Sequence, residues 1–225
     1  MTKFDNMVAV DWREGPDRIY FFFRPTNTYS RFDIGENKVP DGYPEPVPGN
    51  WKGFDIDAGD LAFGFTTTVK SWEGGIHTLW LFFRDGGVPS VCKFNQFSNE
   101  AEKICPVQDT EWAVLLPYFD KIVGAMWESR KNGGGNYRIL LNDGNYLIYD
   151  KLTGTLKVHA LAGSNWKKLE YYKDRFVTAA LNDHPTFDAH FYVFLTRGEY
   201  LKYELNNDEV FGPYTINEAS WPGLD

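Results

Sequence analysis

The sequence places an aromatic ring beside charged or polar side chains at four points along the chain. The stretches are DWREGPDR, TTTVKSWEGGIH, MWESRKNGGGN and NDHPTFDAH. A partly exposed indole can stack on the apolar face of a sugar ring while polar neighbours bind its hydroxyls. The alternative is that each aromatic ring packs inside the fold. The ligand-binding interpretation assigns the site to Asp11, Trp12, Trp72, Glu73, Trp127, Glu128, Asp183 and His184.

The sequence carries no recognisable catalytic or metalloenzyme signature. No HExxH, CxxC or GxSxG motif occurs, and the NGGGN run lacks the Lys and Ser/Thr of a phosphate loop. In NDHPTFDAH, His184 and His190 lie near Asp183 and Asp188, where they could ligate a metal or a haem iron; a solvated loop is the alternative. We therefore expect a protein that is not an enzyme. The remaining histidines, His77 and His159, are isolated.

Charge and composition narrow the class of partner. With 23 Lys and Arg against 31 Asp and Glu, the formal charge is −8, which repels phosphate backbones and anionic lipids. We expect neither nucleic-acid binding nor membrane insertion. The N-terminal stretch MTKFDNMVAVDW lacks the apolar core of a secretory signal, which predicts a cytoplasmic location. Cys92 and Cys105 could bridge neighbouring antiparallel strands or stay reduced.

The sequence contains a repeated unit, which predicts the scaffold that carries these loops. In each unit a β-rich run, a turn and an aromatic or apolar pair spaced i, i+3 precede a tryptophan, as with Tyr29 and Phe32 or Tyr200 and Tyr203. Residues i and i+3 on a strand point to opposite faces, so these sheets must be covered on both sides. The tryptophans follow one another at intervals of 61, 54 and 55 residues: Trp51, Trp112, Trp166 and Trp221.

Four such units fill the 225 residues. Each opens with a short strand around a small residue, which predicts strands that crowd a narrow axis. We expect an all-β, four-bladed β-propeller with four antiparallel strands per blade, closed by packing of Trp221 near the first blade; a β-sandwich or barrel is the alternative. The small residues are Ala9, Ala62, Ala125 and Ala180, and the blades are 1–54, 55–119, 120–172 and 173–225.

Over essentially its whole length the chain resembles the hemopexin-like four-bladed propellers. DLAF at 60–63 is similar to the opening of a blade in that family, YFFFRPTNTYSRFD to its hairpin, and DGYPEPV and WPGL to its closing segment. The second unit matches poorly, and the cysteine pair that closes the ring in many members is missing. The acidic inner-strand position is kept only at Asp60. The resemblance implies a central tunnel in which a calcium or sodium ion would lie near Ala9, Ala62, Ala125 and Ala180.

Members of this family are haem carriers, docking domains of proteases, seed albumins that bind polyamine or haem, and sugar-binding agglutinins. The resemblance therefore implies a non-catalytic binding domain. We expect a carbohydrate-binding protein of lectin type whose loops on one face recognise glycans, because repeated weak sites give avidity. The alternative is a storage-albumin-like protein or carrier with polyamine or haem at the channel mouth or a dimer interface. A third hypothesis is an interaction module that forms a homodimer through a blade edge.

Overall fold

The strands form four separate antiparallel sheets around a common axis, which confirms the predicted all-β, four-bladed propeller. The computed structural model describes residues 2–71, 74–127, 135–182 and 189–224. Within each sheet, strands that follow one another in sequence are also neighbours in space. Each blade is therefore a meander joined by short turns.

The blades have the same order of strands but different strand lengths. Blade 1 contains β1 (Met7–Trp12), β2 (Arg18–Phe23), β3 (Thr28–Asp33) and β4 (Glu45–Pro46). Blade 2 contains β5 (Leu61–Ser71), β6 (Gly74–Asp85), β7 (Val88–Asn95) and β8 (Glu100–Pro106). Blade 3 contains β9 (Ile122–Trp127), β10 (Asn136–Leu141), β11 (Asn145–Asp150) and β12 (Thr155–Ala160). Blade 4 contains β13 (Phe176–Asn182), β14 (His190–Leu195), β15 (Glu199–Glu204) and β16 (Glu209–Thr215).

Helical structure in the described residues consists of short 3₁₀ segments. Most of them lie between an outer strand and the next inner strand. None has the length and apolar character needed to cross a membrane. The segments are Lys3–Asp5, Ala58–Asp60, Val107–Asp109, Ala113–Lys121 and Lys167–Arg175.

The innermost strands close a ring. Strand β1 contacts both β5 and β13, and β9 contacts the same two strands from the opposite side. Blades 1 and 3 therefore face each other across the axis, as do blades 2 and 4. The first strand of every unit is the one that lines the centre, as the sequence predicted.

A tryptophan lies in each of the four apolar cores between neighbouring blades. Trp221 lies between blades 4 and 1, where its ring centroid is 5.6 Å from that of Phe21 and 4.7 Å from that of Phe32. A backbone hydrogen bond of 2.9 Å from Val39 N to Pro222 O joins the same two blades. The predicted closure against blade 1 is confirmed. The other three cores contain Trp51, Trp112 and Trp166.

The innermost strands crowd one another, but the register of the small residues differs from the prediction at two positions. A methyl group added at Gly64 would lie 2.7 Å from Val10 Cγ1, and one at Gly124 would lie 2.4 Å from the carbonyl oxygen of Ala179. Irregularities near the start of β5 and β13 shift their pairing. The predicted equivalents Ala62 and Ala180 are therefore out of register. Aligned by the strand pairing, the small residues are Ala9, Gly64, Ala125 and Ala179.

The turn between the third and fourth strands repeats position by position. In every blade, a residue with positive φ lies five positions after the last aromatic residue of the third strand. Asn, Asp and Gly adopt this backbone conformation at the lowest cost. The turns give an exact correspondence between residues of different blades. The four residues are Asn37, Asn99, Gly154 and Asp208.

The two cysteines lie on opposite faces of blade 2. Cys92 is part of the core between blades 1 and 2, whereas Cys105 packs against the core between blades 2 and 3. Both thiols are free. Their strands are neighbours, as expected, but Cys105 pairs with Val91 rather than with Cys92.

Candidate ligand-binding site

Trp12 is a buried packing residue. Only 5 % of its surface is exposed, and its ring lies 5.3 Å from that of Tyr20 and 6.1 Å from that of Phe94 in the next blade. Its indole N–H donates a 3.0 Å hydrogen bond to Glu14 O. The interpretation of Trp12 as an exposed stacking ring is therefore wrong, and the alternative of packing between blades is correct at this position.

Asp11 holds two blades together. It is 3 % exposed, and its Oδ1 accepts a 2.9 Å hydrogen bond from the backbone N–H of Thr66. The Thr66 hydroxyl donates in return to Asp11 O at 2.6 Å, and Arg13 Nε lies 3.1 Å from Asp11 Oδ2. Both carboxylate oxygens are thus engaged within the protein, so Asp11 positions β1 against β5 rather than facing a ligand.

Trp127 is half-buried at the end of β9, and Arg13 reaches it across the axis. The guanidinium carbon of Arg13 lies 5.9 Å from the centroid of the indole ring, within cation–π range. Because blades 1 and 3 face each other, this contact crosses the axis at the end where β1 and β9 finish. Besides the buried Trp12, Trp127 is the one predicted aromatic residue that the structure describes at this end of the inner strands.

The other predicted rim residues lie outside the described part of the chain. These include both histidine-loop aspartates and His184, so of the predicted metal or haem cluster the structure describes only His190, which begins β14. Among the described residues, no group of three His, Cys, Asp or Glu side chains could hold a metal ion. The residues concerned are Trp72, Glu73, Glu128, Asp183, His184 and Asp188.

A groove between blades 1 and 2, which we call the first groove, combines aromatic rings with planar polar side chains. Its volume is about 360 Å³, within the range of small-ligand pockets, about 300–1,000 Å³. The rings are those of Trp12, Tyr20, Tyr29, Tyr43 and Trp51. The polar side chains are those of Glu14, Arg18, Arg31, Asn50, Gln96 and Asn99.

Two guanidinium groups of the first groove share one carboxylate. Arg18 Nε lies 3.3 Å from Asp33 Oδ1, and Arg31 Nη2 lies 3.0 Å from Asp33 Oδ2. The guanidinium carbon of Arg31 is 5.6 Å from the centroid of the Tyr43 ring. Asp33 therefore orients both arginines while neutralising only one of their two charges, so the pair can still bind polar or anionic ligand groups.

The phenols of the first groove stay protonated at neutral pH. Burial raises the pKa of Tyr20 and of Tyr43 above the ordinary value. Burial, together with the 2.7 Å hydrogen bond to Glu45, raises the pKa of Tyr29 far above that value. These hydroxyls are thus hydrogen-bond donors throughout the physiological range.

Gln96 positions the blade 1 side of the first groove. It is buried in blade 2, and its Oε1 accepts hydrogen bonds from the backbone N–H groups of Arg13 (2.8 Å) and Glu14 (3.0 Å). Its Nε2 donates to the Thr66 hydroxyl at 2.8 Å. The chain leaving β1 is therefore fixed to the neighbouring blade, which gives the groove a rigid wall.

Apart from Trp12, sequence reasoning did not assign to the site the residues that line the first groove. Tyr20 belongs to a run interpreted only as a buried strand, and Tyr43 to a segment interpreted only as a closing stretch. The available signal was Arg18 and Arg31, two cations at the ends of an aromatic hairpin. They are diagonal neighbours across β2 and β3, where Arg18 pairs with Asp33 and Arg31 pairs with Tyr20.

Comparison with known proteins shows only distant likenesses. No family model matches the chain, and no curated protein matches it either, so the hemopexin-like resemblance stays a prediction. Matching solved structures include the extracellular domain of a protein described as a hybrid two-component system of B. thetaiotaomicron, at 11 % identity and a TM-score of 0.36. Another is a streptogramin B lyase, at 12 % identity and a TM-score of 0.33.

The lengths of these two structures differ from that of this chain. The first match covers 92 % of this chain but 24 % of the other, and the second covers 98 % of this chain and 57 % of the lyase. The chain thus spans about a quarter and just over half of their lengths. At these TM-scores, neither structure bears on the function of this chain.

Proposed function

We propose that this protein is a non-enzymatic carbohydrate-binding protein and that the first groove is its sugar site. The observation that carries the proposal is the arrangement of the half-buried Tyr43 ring beside the oriented guanidinium groups of Arg18 and Arg31. The site therefore lies in the side groove between two blades rather than on the predicted rim loops.

The chemistry of the first groove suits a sugar because a pyranose has both an apolar face and a ring of hydroxyls. An aromatic ring such as that of Tyr43 can contact the C–H face. Planar guanidinium and amide groups can bind adjacent hydroxyls through paired hydrogen bonds, and Asn50 and Asn99 lie within the same groove. The rigid wall fixed by Gln96 reduces the entropy lost on binding.

Binding to a glycan array, followed by titration calorimetry with the best ligand, tests the proposal. Replacing Tyr43 with Ala should weaken the affinity about tenfold, because the stacking surface is lost. Arg18→Lys should weaken it as well, since the charge is kept but the planar fork is lost. The matched control is Tyr171→Ala, because Tyr171 is 85 % exposed and outside the groove.

Two results would overturn the proposal. The first is an array without binding at tens of micromolar protein. The second is a glycan that binds equally well to the wild type, the Tyr43→Ala variant and the Arg18→Lys variant, which would place the site elsewhere. Spermine and haem, titrated in parallel, report on the alternative of a carrier: binding of either one without any glycan binding would favour that class.

A further inference from the structure

A second groove lies between blades 2 and 3, at the position that corresponds to the first groove. In blade 1, Tyr20 pairs with Arg31 across β2 and β3, and in blade 2, Trp80 pairs with Lys93 across β6 and β7. Trp80 and Lys93 line the second groove as Tyr20 and Arg31 line the first. The two grooves therefore share one backbone frame and differ in their side chains.

The largest difference between the grooves is at one position of the inner strand, which the strand pairing aligns between the two blades. In blade 1, Trp12 pairs with Arg18, and its indole fills space beside Tyr20. In blade 2, the corresponding residue is Thr67, which pairs with Thr78. The second groove has a volume of about 500 Å³, compared with about 360 Å³ for the first.

The indole of Trp80 is held in place at this groove. Its Nε1 donates a 3.0 Å hydrogen bond to the Thr67 hydroxyl, and its ring packs at 5.4 Å, edge to face, against Trp112. Trp80 is half-buried, and Val91 and Cys105 also line the groove. The second groove thus presents a rigid and mainly apolar surface next to an aromatic ring.

The edge of the second groove carries charged side chains of both signs. Three lysines line it, compared with the two carboxylates of Asp109 and Glu111. Lys93 pairs with Glu102 at 2.6 Å, and Lys151 pairs with Glu111 at 2.8 Å. The third lysine is the exposed Lys103, which makes no ion pair within the described residues. An anionic group of a ligand would therefore meet a cation that is not already ion-paired; among the carboxylates that line the groove, Asp109 likewise makes no ion pair within the described residues.

From this arrangement we infer that the second groove binds a small amphipathic anion, with its apolar ring against Trp80 and Val91 and its carboxylate or sulfonate at Lys103. This inference goes beyond carbohydrate binding, because it concerns another groove and another class of ligand. The two sites can therefore succeed or fail independently.

Titration of the full chain with anilinonaphthalene sulfonate, followed by the fluorescence of the probe, tests the inference. The wild type should bind the probe with enhanced emission. Thr67→Trp, which copies the side chain of the first groove, should abolish binding. Lys103→Met should weaken binding about tenfold, since one charge-assisted hydrogen bond is lost. It should leave unchanged the binding of phenylnaphthylamine, which has the same rings without the sulfonate.

Lys157→Met is the matched control, because Lys157 is an exposed strand lysine outside the second groove. It should bind both probes like the wild type. Circular dichroism and thermal melting establish that each variant is folded, and Lys103→Met keeps the test decisive if Thr67→Trp does not fold. The inference is overturned if the wild type shows no enhancement. It is equally overturned if Lys103→Met binds the sulfonate as tightly as the wild type does.

Discussion

The two grooves are built on the same backbone frame and have different chemistry. The first contains a buried indole, that of Trp12, where the second contains the small hydroxyl side chain of Thr67. It also has two arginines that share one aspartate, whereas the second has a lysine without an ion pair among the described residues. The first groove is smaller and lined by planar polar groups, and the second is larger and more apolar.

This difference shows how a repeated architecture can provide dissimilar sites. The strand pairing and the hairpin turns repeat because each blade must cover both faces of its sheet. The side chains at the aligned position of Trp12 and Thr67 are not required for that covering to the same degree. The two grooves differ in volume by about 140 Å³, and tryptophan in one where the other has threonine is one of the differences in their linings.

Loss of the contact that closes the ring between blades 4 and 1 should have the largest effect on stability. Both grooves depend on the folded ring, so both should be lost together when it unfolds. Trp221→Ala removes the ring that packs against Phe21 and Phe32, and we expect it to lower the free energy of unfolding by about 3–5 kcal/mol. Urea denaturation of this variant and of Tyr171→Ala, which should change stability by less than about 0.5 kcal/mol, provides the measurement. Equal stability of the two variants would show that closure does not depend on Trp221.

Converting the first groove into a copy of the second tests the comparison directly. Trp12→Thr should cost about 3 kcal/mol of stability, because it leaves a cavity beside Tyr20. If the variant remains folded, it should acquire a second binding site for anilinonaphthalene sulfonate, detected as a doubled stoichiometry in the titration. An unchanged stoichiometry in a folded variant would mean that this residue does not set the difference between the grooves.

The cysteines allow the smallest and most local test. Burial, with a smaller contribution from Cys105, raises the pKa of Cys92 to about 12 from its ordinary value of 9.0. At pH 8, its thiolate population is therefore lower by about a thousandfold, since each pKa unit is a factor of ten. Iodoacetamide should modify the half-buried Cys105 of the second groove and leave Cys92 unmodified, as read by mass spectrometry of the peptides.

The raised pKa of Cys92 also predicts how the stability of the fold depends on pH. Because the Cys92 thiol ionises at lower pH in the unfolded chain than in the fold, the free energy of unfolding should fall as the pH rises from about 9 to about 12. A Cys92→Ala variant serves as the control and should show a weaker dependence in this range. Modification of Cys92 as fast as Cys105 at pH 8 would contradict the assigned burial.

The fold could be predicted from the sequence because its signals recur. The tryptophans at Trp51, Trp112, Trp166 and Trp221 each close one core, and the i, i+3 pairs face two different cores. The register of the inner strands could not be predicted in the same way. Irregular pairing near the start of β5 and β13 moves the small position to Gly64 and Ala179, and such a shift leaves no mark in composition.

The candidate site was harder to predict than the fold because it is assembled from two blades. Tyr43 and Gln96 are distant in sequence, and only the stacking of blade 1 on blade 2 brings them to one groove. Trp12 was misinterpreted because a polar stretch follows it, although the burial of a strand end depends on the neighbouring blade. Its contact with Phe94 belongs to that neighbour.

The contact of Trp221 with Phe32 also bears on how the chain folds during synthesis. Because 189 residues separate the two, the exposed face of blade 1 emerges from the ribosome long before its covering arrives. At about 5–20 residues per second, that interval is about 10–40 s. Blade 1 is therefore the part of a nascent chain that most needs shielding from aggregation, and a chaperone that protects it should recognise the apolar run from Ile19 to Phe23.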